Sequence, residues 1–296
     1  MDDPAYVPRT VRQRLGAGLF GRVAGPDGPA TRARIHTTPG PRWFAPDDPV
    51  RRVHGDASMF VGGLRALLLQ SLHPLAMAAV AAHSGYRGDP WGRLQRTSTF
   101  LAVTTFGTAA DAEAAVARVR GVHARVEGVT AAGERYRASD PHLLTWVHAT
   151  EVDSFLRAHL RYGRDPLDGA GCDAYLDSAA RVALALGAEN PPRSRRELDR
   201  CIASYRSELR STPEALEAAR FILLRPPLPL AARAPYAVLA ANAIALLPSW
   251  ARAPLHLPYV PRFERAFVAP TGHLITRTIR WALPAPPTRP GPADGE

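Results

Sequence analysis

The stretch from Asp89 to Gly128, DPWGRLQRTSTFLAVTTFGTAADAEAAVARVRGVHARVEG, decides the fold. Asp89-Pro90 opens a helix with proline in its first turn, and Gly107 stops it after about Phe106. Thr108-Ala109-Ala110-Asp111 is a capping-box-like start for a second helix, running to about Val126 and stopped near Gly128. In the second helix Val116, Val119, Val122 and Val126 are the apolar positions, and His123 falls four after Val119 and three before Val126. The spacing therefore turns His123 inward.

Working outward, helical periodicity fills most of the chain. Asp56–Ser84 is long and apolar, and Pro74 should kink or split it. Asp140-Pro141 begins a helix to about Tyr162-Gly163, and further starts stand at Ser194-Arg195-Arg196-Glu197 and Thr212-Pro213-Glu214. Leu230–Leu247 and Pro261–Leu283 complete the set, and alternating strand patterns are scarce. The fold class expected is all-α, a single-domain multi-helix bundle over residues 50–283. Residues 1–49 read as a basic amphipathic segment, Thr10–Val23, followed by a Gly/Pro-rich connector. Pro284–Glu296 (PAPPTRPGPADGE) reads as a disordered tail. Gly169-Ala170-Gly171 reads as loop, and 170–223 as added helices without an assigned role.

Composition removes several functions. The net charge is +10 with no lysine, but the arginines are scattered apart from a modest cluster at Arg193–Arg210. No nucleic-acid motif accompanies them, so solvated helix faces are the better account. Cys172 and Cys201 stand far apart, in no metal-ligand spacing and in no C-x-x-C-H. Any haem would be held non-covalently, and free thiols suit a reducing cytoplasm. The N-terminus holds no apolar run that would serve as a signal, and Ala234–Leu247, about 14 residues, is shorter than the ~20 a span requires. The expected location is cytoplasmic, with no transmembrane segment.

Several polar side chains lie on faces that should be core. Arg93 and Thr97 are four apart and share a face continued by Phe100. Arginine's fork suits carboxylates, and the preceding Ala57–Gly88 holds no Asp or Glu to occupy it. His148 shares a face with Leu144, Val152 and Phe155. His123 reads either as a core histidine bonded to a carbonyl or as an iron ligand kept neutral by apolar surroundings. For His148, donor, pocket wall and core residue stand level. His73, before Pro74, reads as structural, and His54 and His83, near helix ends, as exposed. Arg252, after an apolar helix, could meet an anion at that helix's C-terminal end. One guest would satisfy these groups together: a haem, with a histidine to its iron and arginines near its carboxylates. H-E-x-x-H, P-loop, G-x-G-x-x-G after a strand, G-x-S-x-G and the E-x-x-H pairs of di-iron bundles are all missing; Glu113, Glu127, Glu151 and Asp153 supply no such pair.

Five fragments in order carry a family resemblance: Gly62–Gln70 with His73-Pro74, Arg93-x-x-x-Thr97, Val119-Arg120-x-x-His123-x-x-Val126-x-Gly128, Tyr136-x-Ala138-x-Asp140-Pro141, and Leu143-Leu144-x-Trp146-Val147-His148. Over about residues 50–260 the chain resembles the MpaB/rubber-oxygenase catalytic domain family. The resemblance implies a mainly α-helical protein binding b-type haem iron. It would act with dioxygen or peroxide on a hydrophobic small molecule, by natural-product tailoring or oxidative cleavage. It places the axial ligand on His123, haem support and activity on Arg93 and Thr97, and further family positions on His148 and Arg252. Two departures stand out. Arg96 occupies the place of a lysine that can cap the iron in the rubber-cleaving branch, and guanidinium keeps its proton. That branch's distal glutamate has no counterpart in Leu69–Ala82, where Met77 and Ala78 stand. Polyisoprene cleavage is therefore not expected. The distal walls would be Asp56–Ala82 and the Arg93–Phe106 helix, lined by Leu68, Leu72, Leu75, Met77, Phe100 and Val103. The rival from another class is a non-catalytic haem- or lipid-binding helical protein.

Overall fold

The computed structural model describes residues 10–85 and 88–283. The tail read at 284–296 lies outside them. The chain runs α1 (Val11–Ala24), α2 (Gly28–Thr37), α3 (Pro49–His54), α4 (Met59–Gln70), α5 (Pro74–His83), α6 (Pro90–Phe106) and α7 (Ala109–His123). A hairpin follows, β1 (Glu127–Val129) antiparallel to β2 (Arg135–Arg137). Then come α8 (Pro141–Tyr162), α9 (Gly169–Leu186), α10 (Arg195–Ser204), α11 (Pro213–Leu224), α12 (Leu230–Leu246), α13 (Ser249–Arg252), α14 (Pro261–Phe263), a π-helical turn (Glu264–Val268) and α15 (Ala269–Ala282). The all-α class is as expected.

Side-chain caps explain why the helix starts were readable. Asp89 accepts from the Gly92 amide at 2.8 Å, Thr108 from Asp111 at 3.1 Å, and Asp140 from His142 at 2.9 Å. Each satisfies an amide that the first turn leaves without a partner. Thr10 and Gln13 form a full capping box at the start of α1. Pro74 splits the long apolar segment into α4 and α5, bent by 108°. Among the described residues no single helix is long and apolar enough to cross a membrane; only the bent α4–α5 pair has that length and composition.

α8 is the axis of the bundle. Trp146, Ala149, Thr150, Ser154 and Ala158 on it are fully buried. α4 crosses it closely at Gly62, where a Cβ would sit 3.1 Å from both the Phe155 Cα and the Ser154 carbonyl oxygen. The crossing is fastened by Arg65, 1% exposed: Nη2 meets Asp153 at 2.7 Å, Nη1 donates to Ser154 Oγ at 2.6 Å, and Nε donates to the Leu246 carbonyl at 2.9 Å. α12 packs on α4 and α15, α9 and α10 on α8, and α1 on α6 and α15.

Four expectations need correction. The 24–50 connector contains a helix, α2, started with proline in its first turn. Gly169-Ala170-Gly171 is not loop: Asp168 accepts from the Gly171 amide at 2.7 Å and opens α9 there. α7 ends at His123, three residues early, because the chain turns at once into the β1–β2 hairpin. Leu68, Leu72 and Met77 do not line a pocket. They are buried in a cluster with Ala215, Ala218, Ala219 and Leu247 from α11 and α12, because the helices after residue 210 cover that face of α4 and α5.

Candidate active site

α6 and α7 pack on each other. They reach α8 through α3 and α9 rather than by direct helix packing. α3 and α9 pack both on α8 and on the α6–α7 pair, and the region that these helices border is the slot. The polar groups read from the sequence distribute around it unevenly.

From α8 come His148 and Glu151, one turn apart and therefore on one face. Each keeps part of its surface, although protein surrounds both closely. The Nε2 atom of His148 is shielded from solvent and has no hydrogen-bond partner. Burial lowers its pKa to about 4 and raises that of the Glu151 carboxyl to about 7. Low polarity favours the uncharged form of each. From α3 comes His54, whose Nδ1 lies 2.8 Å from Thr105 Oγ1 on α6 and whose Nε2 lies 3.3 Å from the Tyr175 hydroxyl on α9. Burial, helped by the nearby His148, pushes His54 down to about 3. Tyr175 is fully buried, and its pKa is raised by burial and by the charges of Glu151 and Asp153. The cluster is thus two neutral imidazoles, a phenol, a threonine hydroxyl and a carboxyl poised near neutrality.

His123 closes α7. Arg120 on α7 donates to the Ala185 carbonyl near the C-terminus of α9 at 3.3 Å. Leu144 on α8 packs against Gly187, just past that terminus. The ends of α7 and α9 and the first turns of α8 therefore converge. His123 is half-buried, its Nδ1 is shielded and without a partner, and burial lowers its pKa.

The remaining predicted residues lie elsewhere. Arg93 is half-buried and donates from Nη1 to Ser84 Oγ at 3.0 Å. Thr97 is exposed, about 12 Å along α6 from Thr105 at 1.5 Å per residue. Arg96 pairs with Asp89 at 3.2 Å on the surface. Arg252 is buried in another corner, under α12. It donates to the carbonyls of Ala245, Leu247 and Pro258 and pairs with Glu264, which occupies its fork. His54, expected to be exposed at a helix end, is instead enclosed by α6 and α9.

Four residues of the cluster escaped the sequence reading: His54, Thr105, Glu151 and Tyr175. A signal existed for Glu151, since His148-x-x-Glu151 sets a carboxylate on an otherwise apolar helix face. Nothing local marks His54 or Tyr175, because α3 and α9 meet only in the folded chain.

Two imidazoles with a shielded, unpartnered nitrogen and a carboxyl titrating near neutrality, set among packed helices, are groups that a bound guest would satisfy. Comparison with known proteins narrows this. The family described as "ER-bound oxygenase mpaB/B'/Rubber oxygenase, catalytic domain" matches residues 51–281, and the chain belongs to that family. Among curated proteins it is similar to uncharacterized protein Rv2237 of Mycobacterium tuberculosis and uncharacterized protein Mb2261 of Mycobacterium bovis. Each is 35% identical over 98 residues, covering 33% of this chain and 38% of the relative. No solved structure matches.

Proposed function

We propose that the slot holds haem b and that the protein is a haem-dependent oxygenase acting on a hydrophobic small molecule. The observation that carries this reading is His123, an imidazole held neutral by burial with an unpartnered shielded nitrogen, at the convergence of three helices. A neutral imidazole is what iron ligation requires. His123 would hold the iron, and His148 on α8 would line the same slot. Arg93 on α6, which also donates to Ser84, would receive the macrocycle's carboxylates. Haem, when bound, supplies the activation of dioxygen or peroxide.

The chain's own residues account for the rest. Apolar walls from α6 and α8 exclude water and accept a hydrophobic substrate. Glu151, near its half-protonation point at neutral pH, can take or return a proton inside the slot. His54, bridged to Tyr175 and Thr105, is too weakly basic to take that proton and instead fixes the two hydroxyls. Thr97, toward solvent on α6, would offer a hydroxyl at the mouth.

The test is turnover. Protein supplied with haem should develop a Soret band and consume dioxygen or peroxide in step with loss of an apolar test substrate. Protein that takes up no pigment overturns the cofactor assignment. Pigmented protein with no oxidant-dependent turnover on a terpenoid and fatty-acyl panel overturns the enzyme reading and leaves a binding protein.

A further inference from the structure

On the far side of α8 a second cluster stands outside this slot. His73 ends the α4–α5 bend, His142 is the second residue of α8, and Glu208 follows a 3-10 turn, Tyr205–Ser207, after α10. His142 lies six residues before His148, so it is turned about 240° around the helix from the slot. We propose that His73, His142 and Glu208 bind one divalent transition-metal ion of the zinc class.

Geometry carries the proposal. One ligand atom from each residue lies within 4.8 Å of the others. His142 Nε2 is 2.9 Å from Glu208 Oε2, and His73 Nε2 is 3.4 Å from the same oxygen. Zinc–ligand bonds of about 2.0–2.1 Å at tetrahedral angles put donors about 3.3 Å apart, so the cluster is already near coordinating dimensions. The independent observation is His73 itself. It is 1% exposed, both ring nitrogens are shielded, Nδ1 has no partner, and Nε2 has only the long Glu208 contact, which does not meet hydrogen-bond geometry. A buried imidazole without a sound hydrogen bond is costly, and a metal shared by Nε2 and the Glu208 carboxylate satisfies it.

The three donors are also held in place. Tyr205 stacks on His142 with ring centroids 4.4 Å apart and donates its hydroxyl to the His142 carbonyl at 2.8 Å. Tyr205 and Trp146 flank the His73 ring. Two imidazoles and one carboxylate suit zinc and its transition-metal neighbours, whereas calcium and magnesium favour all-oxygen sites. Glu208 and His142 are partly open to solvent, so water completes the fourth position. The ion would brace the link after α10 to the bend between α4 and α5 and to the start of α8.

The experiment is equilibrium dialysis of the full chain against zinc chloride with elemental analysis, paired with thermal melts. Wild type should retain one equivalent and melt at a higher temperature with zinc than with chelator. His142→Gln and Glu208→Gln, at accessible positions that the fold tolerates, should each weaken retention by about a hundredfold and cancel the thermal shift. His148→Gln, about a third of a turn around α8 and outside the cluster, should leave both unchanged. A wild type that keeps no zinc, or H142Q and E208Q variants that bind like wild type, overturns the site and leaves a His142–Glu208 ion pair.

Discussion

Replacing Glu151 by glutamine tests the enclosed character of the slot with a sign that is unusual for a buried substitution. In the fold the carboxyl titrates at about 7, against 4.5 for the free side chain, with burial as the cause. A raised carboxyl pKa means that the native state favours the protonated form. The penalty is absent below about pH 4.5, grows as pH rises, and is complete above about pH 7. A shift of this size corresponds to about 3 kcal/mol. Water reaching the partly open side of Glu151 reduces it toward about 2 kcal/mol. Glutamine keeps the shape and cannot ionise. Glu151→Gln should therefore be stabilising by less than about 1 kcal/mol at pH 5 and by about 2–3 kcal/mol at pH 8, read from urea midpoints across that range. The same variant should lose the rise in turnover through neutral pH that a titrating proton acceptor gives. A stability difference that does not change with pH, or a glutamine variant less stable than wild type at pH 8, would refute the reasoning, because the carboxylate would then be paired or solvated.

Three further outcomes follow from the geometry. Arg65→Met leaves Asp153, 5% exposed at its side chain, with only the half-exposed Arg157 as a cation, and should cost about 3–5 kcal/mol in chemical denaturation; a loss under 1 kcal/mol would show that the crossing does not depend on this pair. Gly62→Ala inserts a methyl group 3.1 Å from backbone atoms of Phe155 and Ser154 and should cost about 1–3 kcal/mol by the same measurement, with an unchanged midpoint contradicting the close α4–α8 approach. Thr97→Val, at an exposed position, should alter stability by no more than about 0.5 kcal/mol while slowing turnover, and unchanged turnover on an identified substrate removes its role at the mouth.

Much of the fold was written in short-range signals. Asp89, Thr108, Asp140, Ser194 and Thr212 each precede a helix and each accept a first-turn amide in the structure, so a local hydrogen bond made the boundary legible. α9 was misread at its start because Asp168 is followed by two glycines within three residues, a composition more typical of loops than of helix N-termini. The face of α4 and α5 was misassigned for a different reason. Periodicity shows that Leu68 and Leu72 are buried but not against what, and α11 and α12 arrive from 140 or more residues later. Sites obey the same division. His123 and His148 stood out as imidazoles on apolar faces. The His54–Tyr175 pair depends on α3 meeting α9, a contact spanning 121 positions that no sequence window holds. Arg252 was expected to meet an anion after an apolar helix, and the anion is Glu264 of the same chain, with neighbouring carbonyls taking its other donors.

The central claim is that His123 ligates a porphyrin's iron from the end of α7. It is tested most directly by absorption spectra of haem-supplied wild type, His123→Gly and His148→Gly, with and without added imidazole. The account predicts stoichiometric pigment in wild type, loss of its iron spectrum in His123→Gly, recovery when imidazole fills the vacated space, and a retained proximal signature in His148→Gly. A His123→Gly protein with the wild-type spectrum, or loss that follows His148 instead, would contradict it.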